Sequence, residues 1–226
     1  PPRAATGMTP HVFSDMAAQA APAQPPRLAP GAVRRRGLAL PDQHDVLADL
    51  DRVMTDAPLR HMITSRGFRM SVAMTNCGQL GWVSDRRGYR YDSSDPLSGR
   101  PWPAMPESLL RLARRAAAAA GHADFLPDAC LINRYQPGAR MALHQDRDER
   151  DLGQPIVSVS LGLPAVFQFG GMLRSDKPLR VPLQHGDVVV WGGPARLNFH
   201  GVLALKDGVH ELLGAQRINL TFRRAG

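Results

Sequence analysis

The chain has 226 residues, of which 43% are hydrophobic, enough to bury the core of one domain. Its two cysteines, Cys77 and Cys130, follow no CxxC or zinc-type spacing, which excludes a disulfide framework and a structural zinc site; no run approaches the roughly 20 apolar residues of a membrane-spanning helix. The formal charge of +8 admits a nucleic-acid partner. However, Arg3, Arg27, Arg34, Arg35 and Arg36, set against Asp15 alone, put half of that excess in the first 40 residues and leave the rest mildly basic. With no signal-peptide layout and no dimerisation pattern, a soluble, cytoplasmic, monomeric protein without membrane partners is expected.

Residues 1 to about 30, including APAQPPRLAPG, are Pro- and Ala-rich with few large apolar side chains; a flexible extension is predicted there, with the folded domain over residues 31–226. From Asp42 onward Val46, Leu47, Leu50, Val53 and Met54 form the apolar stripe of a helix, and Pro58 lies beyond its end. RMSVAM reads as a strand. The stretch TNCGQLGWVSDRRGYRYDSSDPLSGRPWP reads as an irregular insertion, and its Trp82, Tyr89, Tyr91 and Trp102 mark it as a binding loop rather than a connector. A second helix follows, with Pro106 in its first turn, Leu109, Leu112, Ala113 and Ala116 on one face, and Gly121 as its stop. Arg111, Arg114 and Arg115 form its solvated side. The pattern then turns to β in IVSVSLGL, AVFQF, VPLQHGDVVVW and RINLTFR. Short strands punctuated by Gly and Pro and preceded by helices predict an α+β fold, its core a double-sheet barrel or jelly roll with the helices outside.

The chemistry begins in LHQDRDE. In an extended segment side chains at i and i+2 point the same way, so His144 and Asp146 can offer an imidazole nitrogen and a carboxylate to one point. Alone, such a pair is far more often a surface or hydrogen-bonding pair. Among the other histidines, His11 sits in the extension, His44 and His122 at helix ends, His185 in a His-Gly-Asp turn, and His61 and His210 in polar, loop-like surroundings. His200, which follows RLNF beyond the strand VVVWGG, is the candidate third ligand. Two histidines and a carboxylate make the facial triad of non-haem iron(II) oxygenases, and a zinc hydrolase can use the same set, so these residues alone leave the metal open. In RINLTFR, Arg217, Asn219, Thr221 and Arg223 alternate with Ile218, Leu220 and Phe222. Either the polar face meets water, or it turns inward and two buried cations require anions, which Asp146 and a dicarboxylate ligand would supply. Asn133 and Tyr135 in NRY are neutral donors close to the metal pair, or simply core strand residues.

Together, NRYQPGARMALHQDRDE, IVSVSLGLPAVFQFGG, HGDVVVWGG, FHGV and RINLTFR closely resemble the bacterial AlkB proteins, the iron(II)- and 2-oxoglutarate-dependent dioxygenases that repair alkylated DNA. The resemblance runs from about Leu59 to Arg223 and carries both family signatures, His-x-Asp with a distal His and the closing Arg-x-Asn-x-Thr-x-Arg; the N-terminal extension has no counterpart. It implies a double-stranded β-helix (jelly-roll) core with flanking helices and a loop-rich nucleotide-recognition lid within residues 59–104. It implies further that His144, Asp146 and His200 hold Fe(II) and carry catalysis, that Arg217, Arg223, Asn133, Tyr135 and Asn219 fix 2-oxoglutarate, and that O2 is the other co-substrate. By the same resemblance Trp82 and Tyr89 contact a flipped base and its phosphate, Asp148 the exocyclic amino group, and Arg174 and Met74 line the base pocket.

The implied reaction removes the methyl group of 1-methyladenine or 3-methylcytosine in single- or double-stranded DNA, with RNA a further substrate, and yields succinate, carbon dioxide and formaldehyde. Such bases carry positive charge on the ring, which the acidic Asp148 suits. Fold and cofactor do not determine the substrate, so a 2-oxoglutarate oxygenase acting on a small molecule or a protein is the alternative enzyme. A non-catalytic nucleic-acid-binding module is the alternative from another class. The complete metal and keto-acid motifs argue against the module, and Trp82, Tyr89 and Asp148 favour a base.

Overall fold

The structure, a computed structural model, describes residues 27–226. The strands are β1 (Arg27–Ala29), β2 (Ala32–Arg35), β3 (Arg60–Ile63), β4 (Arg69–Gly78), β5 (Gly81–Asp85), β6 (Gly88–Asp92), β7 (Ala129–Tyr135), β8 (Met141–His144), β9 (Ile156–Gly162), β10 (Ala165–Phe169), β11 (Leu179–Leu183), β12 (Val188–Trp191), β13 (His200–Val202) and β14 (Arg217–Arg223), with helices α1 (Gln43–Asp56) and α2 (Glu107–Ala118). Eight strands form one sheet in the order β1-β2-β12-β9-β14-β7-β4-β3, four form a second in the order β11-β10-β13-β8, and β5 and β6 make a separate hairpin. From β8 to β14 the chain passes repeatedly between the two larger sheets, as the predicted jelly roll requires.

Strand alternation divides the interior into two compartments. Cys130 and Ile132 of β7, Val157, Val159 and Leu161 of β9, and Ile218, Leu220 and Phe222 of β14 pack against Val46, Leu50 and Val53 of α1 and Leu109, Leu112 and Ala116 of α2. Their in-between neighbours face the second sheet, where Met74, Tyr135, Phe167, Phe169 and Trp191 cluster. The closing strand is buried along its whole length, so the polar side of RINLTFR looks inward and not into water. Cys77 and Cys130 lie opposite each other on β4 and β7, both in the helix-side core.

Three expectations need correction. The extension predicted for residues 1 to about 30 does not hold for residues 27–30, where Arg27–Ala29 forms β1, and β2 pairs along β12; composition hid a strand that buries Ala32 and Arg34, whose guanidinium donates to the Pro182 carbonyl at 2.8 Å. Residues 1–26, with His11, lie outside the described range. The irregular insertion contains the end of β4 and the whole β5–β6 hairpin; its glycines and aspartates serve the turn and close packing rather than disorder. Gly81 shows why, since a Cβ there would sit 2.4 Å from the Trp102 ring. His61 is on β3, not in a loop, and its Nδ1 lies 2.8 Å from the Met70 carbonyl. The arginine face of α2 is exposed as expected, with Arg115 donating to Leu38 O and the Asp42 carboxylate and Arg111 pairing with Asp45 at 3.9 Å.

Truncating a ring in the fully buried helix-side core leaves a cavity that the sheet cannot close. Phe222→Ala is expected to cost about 3–5 kcal/mol in urea unfolding, against about 0.5 kcal/mol or less for Leu97→Ala, where the side chain is 77% exposed. Similar losses for both would refute the assignment of the core.

Candidate active site and metal centre

His144 ends β8 and His200 begins β13, and the two residues are direct partners in the register of that antiparallel pair. The strands approach closely because position 201 is glycine; a Cβ there would lie 2.7 Å from the Met141 carbonyl. Asp146, two residues beyond β8, completes a cluster whose ligand atoms all fall within 4.8 Å of one another. Nε2 of His144 is 3.6 Å from Oδ1 of Asp146, and Nε2 of His200 is 3.7 Å from Oδ2. Each imidazole places Nδ1 against a main-chain carbonyl, His144 on Ala142 at 2.8 Å and His200 on Asn198 at 3.0 Å. A donating Nδ1–H leaves Nε2 as a lone-pair donor aimed at the shared centre, the usual arrangement of metal-binding histidines.

Burial of His200 lowers its pKa to about 4, with His144 adding to the shift and Asp146 opposing it, so its ring is neutral at physiological pH. Burial alone would raise the Asp146 carboxyl, but Arg223 and the two imidazoles outweigh it and hold the group well below the usual carboxylate range. One carboxylate and two imidazole nitrogens on one face suit a divalent first-row metal.

The two arginines of β14 do different work, which sequence reading could not separate. Arg223 donates from Nε and Nη2 to Oδ2 of Asp146, at 2.9 and 2.5 Å, and its Nε is 3.2 Å from Oε1 of Glu149. Arg217 lies deeper: Nη2 donates to Ser160 Oγ at 2.9 Å, the guanidinium sits 4.9 Å from the Tyr135 ring centroid, and Nε and Nη1 have no partner among the described residues. Burial lowers the Arg217 pKa. Oδ1 of Asn133 is also unpartnered. By contrast, the amide nitrogen of Asn219 is spent within the sheet on Ser158 Oγ and Val159 O, at 2.8 and 2.9 Å. Arg217, Tyr135, Asn133 and Asn219, with Phe167 and Trp191, line a cavity of about 50 Å³ between the sheets. A buried guanidinium with two free N–H groups beside a metal corner fits a carboxylate, and the donor set fits an acid bound alongside the metal.

A larger cavity, about 460 Å³, opens outward from the same corner. The two share Leu131, Met141, His144 and Arg223. The outer one brings together the predicted Met74, Trp82, Tyr89, Asp148 and Arg174. Trp82 of β5 and Tyr89 of β6 stack at 5.5 Å, and the Trp82 indole N–H donates to Asp148 Oδ2 at 3.0 Å. Asn76 on β4 holds the hairpin in place by exchanging two 3.0 Å bonds with the Trp82 backbone. Arg174 donates to the Leu143 carbonyl at 2.8 Å and lies over the Phe199 ring.

Sequence reading missed Glu149, Arg196 and Phe199. Glu149 is buried in a run that looks like a solvated charged loop. Oε1 of Glu149 accepts from the Tyr91 hydroxyl at 2.7 Å, and Oε2 from Arg196 Nη2 at 2.9 Å. Arg196 also clasps the Asp146 carbonyl at 2.7 Å. The only sequence hint was that DRDERD holds more acids than a metal needs. His210, read as loop-like, stacks on His185 at 4.5 Å, far from this chemistry in the register.

In the metal-free protein His200 refuses, between pH 6.5 and about 4, a proton that the unfolded chain accepts. Stability therefore falls as the pH falls through that window, by about 3 kcal/mol for a shift of this size. Urea unfolding at pH 7.5 and 4.5 is expected to show a loss smaller by about that amount in His200→Gln, and equal losses would contradict the buried neutral ring.

With this geometry established, comparison with known proteins places the chain. Residues 37–223 match the 2OG-Fe(II) oxygenase superfamily. The chain is 57% identical over 212 residues to the alpha-ketoglutarate-dependent dioxygenase AlkB of Escherichia coli, covering 94% of this chain and 98% of that protein. It is 51% identical over 170 residues to the AlkB homolog of Caulobacter vibrioides, covering 75% and 76%. The solved structure of OsALKBH1 superposes with a TM-score of 0.77 at 30% identity, covering 88% of this chain and 99% of that one. The chain belongs to the 2OG-Fe(II) oxygenase superfamily and, within it, to the AlkB family.

Proposed function

We infer that the protein is an iron(II)- and 2-oxoglutarate-dependent dioxygenase that removes methyl groups from the bases of alkylated nucleic acid, 1-methyladenine and 3-methylcytosine in DNA foremost and RNA as well. The observation that carries this reading is the convergence of three features on one corner: the His144, Asp146 and His200 ligand atoms, the free donors of Arg217 behind them, and the aromatic-walled outer cavity in front.

In this reading His144, Asp146 and His200 hold iron(II), which together with the keto acid and O2 supplies the oxidising chemistry. Arg217 takes the far carboxylate of 2-oxoglutarate through Nε and Nη1, with Tyr135 and Asn133 beside it. Arg223 keeps Asp146 ionised and oriented, while Asn219 braces the strand beneath. The outer cavity receives the flipped base: Trp82 and Tyr89 supply ring surface, Met74 and Met141 the apolar floor, and Asp148 an acceptor for an exocyclic amino group on a cationic ring. Once hydroxylated, the N-methyl group leaves as formaldehyde and restores the base.

The surroundings of the mouth suit a polyanion. Arg147 and Arg174 line the cavity, and Arg69 and Arg140 adjoin the lining residues Met70 and Met141. None of the four forms an ion pair within 4.0 Å among the described residues. Guanidiniums left free of acids are available to phosphates.

The direct test is incubation with iron(II), 2-oxoglutarate, ascorbate and a methylated oligonucleotide, with methyl loss followed by mass spectrometry. Repair is expected, and succinate formed with no methyl loss would reject the substrate. His144→Ala should abolish repair and retention of iron while the unfolding midpoint changes little. Arg217→Met should raise the 2-oxoglutarate concentration for half-maximal rate on the order of 100-fold, and a change under threefold would remove Arg217 from the acid site. Trp82→Ala should raise the half-saturating oligonucleotide concentration about tenfold and lower formaldehyde release more than succinate release; equal losses would count against a stacking role.

A further inference from the structure

Tyr89 and Tyr91 occupy positions i and i+2 of β6 and so point to the same side of the lid hairpin. Tyr89 backs Trp82 at the outer cavity, whereas the Tyr91 hydroxyl reaches past it to the buried Glu149. The two rings that anchor the hairpin, Trp82 and Tyr91, thus donate to consecutive acids, Asp148 at 3.0 Å and Glu149 at 2.7 Å. These acids follow Asp146 on one short segment. The Glu149 carboxyl group meets three donors, Tyr91, Arg196 and Arg223. Its Oε1 is shared between the lid phenol and Nε of Arg223, and that same Nε donates to Asp146 at 2.9 Å.

We propose that Glu149 is a positioning residue that ties the closed lid hairpin, through Tyr91, to Arg223 and the metal-holding Asp146, so that grip on the base and oxidation stay in step. When the hairpin is seated, the phenol occupies part of Oε1 and Arg223 leans on Asp146. When the hairpin swings away, Oε1 falls to Arg223 alone and the hydrogen bonding of Asp146 is redistributed. Arg196 holds the other end of the device: Nη2 fixes Oε2 of Glu149, Nη1 the Asp146 carbonyl and Nε the Gln154 carbonyl at 2.9 Å. Glu149 therefore cannot follow the lid, and the tie must break at the phenol. This inference rests on the reading that the hairpin covers a flipped base.

Tyr91→Phe removes one hydroxyl and keeps the ring, so it cuts the tie with little threat to folding. Two measurements test it. In protein loaded with manganese(II) and 2-oxoglutarate, hydrogen exchange of residues 81–92 is expected to accelerate about tenfold, the equivalent of one hydrogen bond to a charged acceptor, while β9 and β14 exchange as in the wild type. In turnover with iron(II) and a methylated oligonucleotide, formaldehyde released per succinate is expected to fall about threefold or more, with succinate formation in the absence of oligonucleotide within about twofold of wild type. In a Glu149→Gln background the same change should add nothing to the exchange rate. An unchanged formaldehyde-to-succinate ratio, or exchange effects that simply add, would overturn the proposal. Wild-type protein that oxidises 2-oxoglutarate but releases no formaldehyde from methylated oligonucleotides would reject base demethylation instead, and the exchange comparison would then decide the tie by itself.

Discussion

Placing Arg217 and Arg223 between two β-sheets costs several kcal/mol per ion unless each finds acceptors, and the rest of the site is arranged around how that cost is met. Arg223 is supplied by the protein at Nε and Nη2, with Asp146 and Glu149 against its guanidinium. Arg217 is not: among the described residues it has one hydroxyl and an aromatic face. The imbalance separates them. Arg223 holds the Asp146 carboxyl in its ionised form, and in the proposed function the unpartnered nitrogens of Arg217 are what a carboxylate of 2-oxoglutarate would take up.

The same strand explains why a metal corner can exist in so apolar a core. Because β14 sends Ile218, Leu220 and Phe222 to the helices, all of its polarity goes to the opposite side, where Ser158 and Ser160 of β9 and Asn133 of β7 meet it across the register. No residue of helices α1 and α2 lines either cavity. They seal the back of the large sheet so that its other face can carry groups a hydrophobic core would reject.

Legibility followed periodicity. Both helices show in the sequence because a three-to-four spacing of Val, Leu and Ala survives without tertiary context, and β9, β10, β12 and β14 show because alternation or Val-rich runs do. The strands β1, β2 and β3 are short and lack a clean alternation, and the β5–β6 hairpin is rich in Gly, Ser and Asp, so local pattern gave no warning of them; β7 and β8 show only as the short extended stretches NRY and LHQD. Within the site, His144, Asp146, Arg217 and Arg223 could be singled out from spacing and from the oddity of two arginines on a core-like strand. His200 could be told from the other histidines by its place just beyond the Val-rich strand VVVWGG. Glu149 and Arg196 were hidden, since partnership across 47 positions leaves no local trace, and the division of labour between the two arginines appears only once their donors are traced to partners.

The placement of Cys77 and Cys130 has a chemical consequence. An enzyme that activates O2 risks attacking itself when no substrate takes up the oxidant, and thiols are among the groups most easily lost to irreversible oxidation. Both thiols of this chain lie on the helix side of the large sheet, with its backbone between them and the metal corner. The sulfurs that do face the corner belong to Met70, Met74 and Met141, and methionine sulfoxide is a lesion that cells reduce back. The architecture thus turns its repairable sulfur toward the hazard and its vulnerable sulfur away.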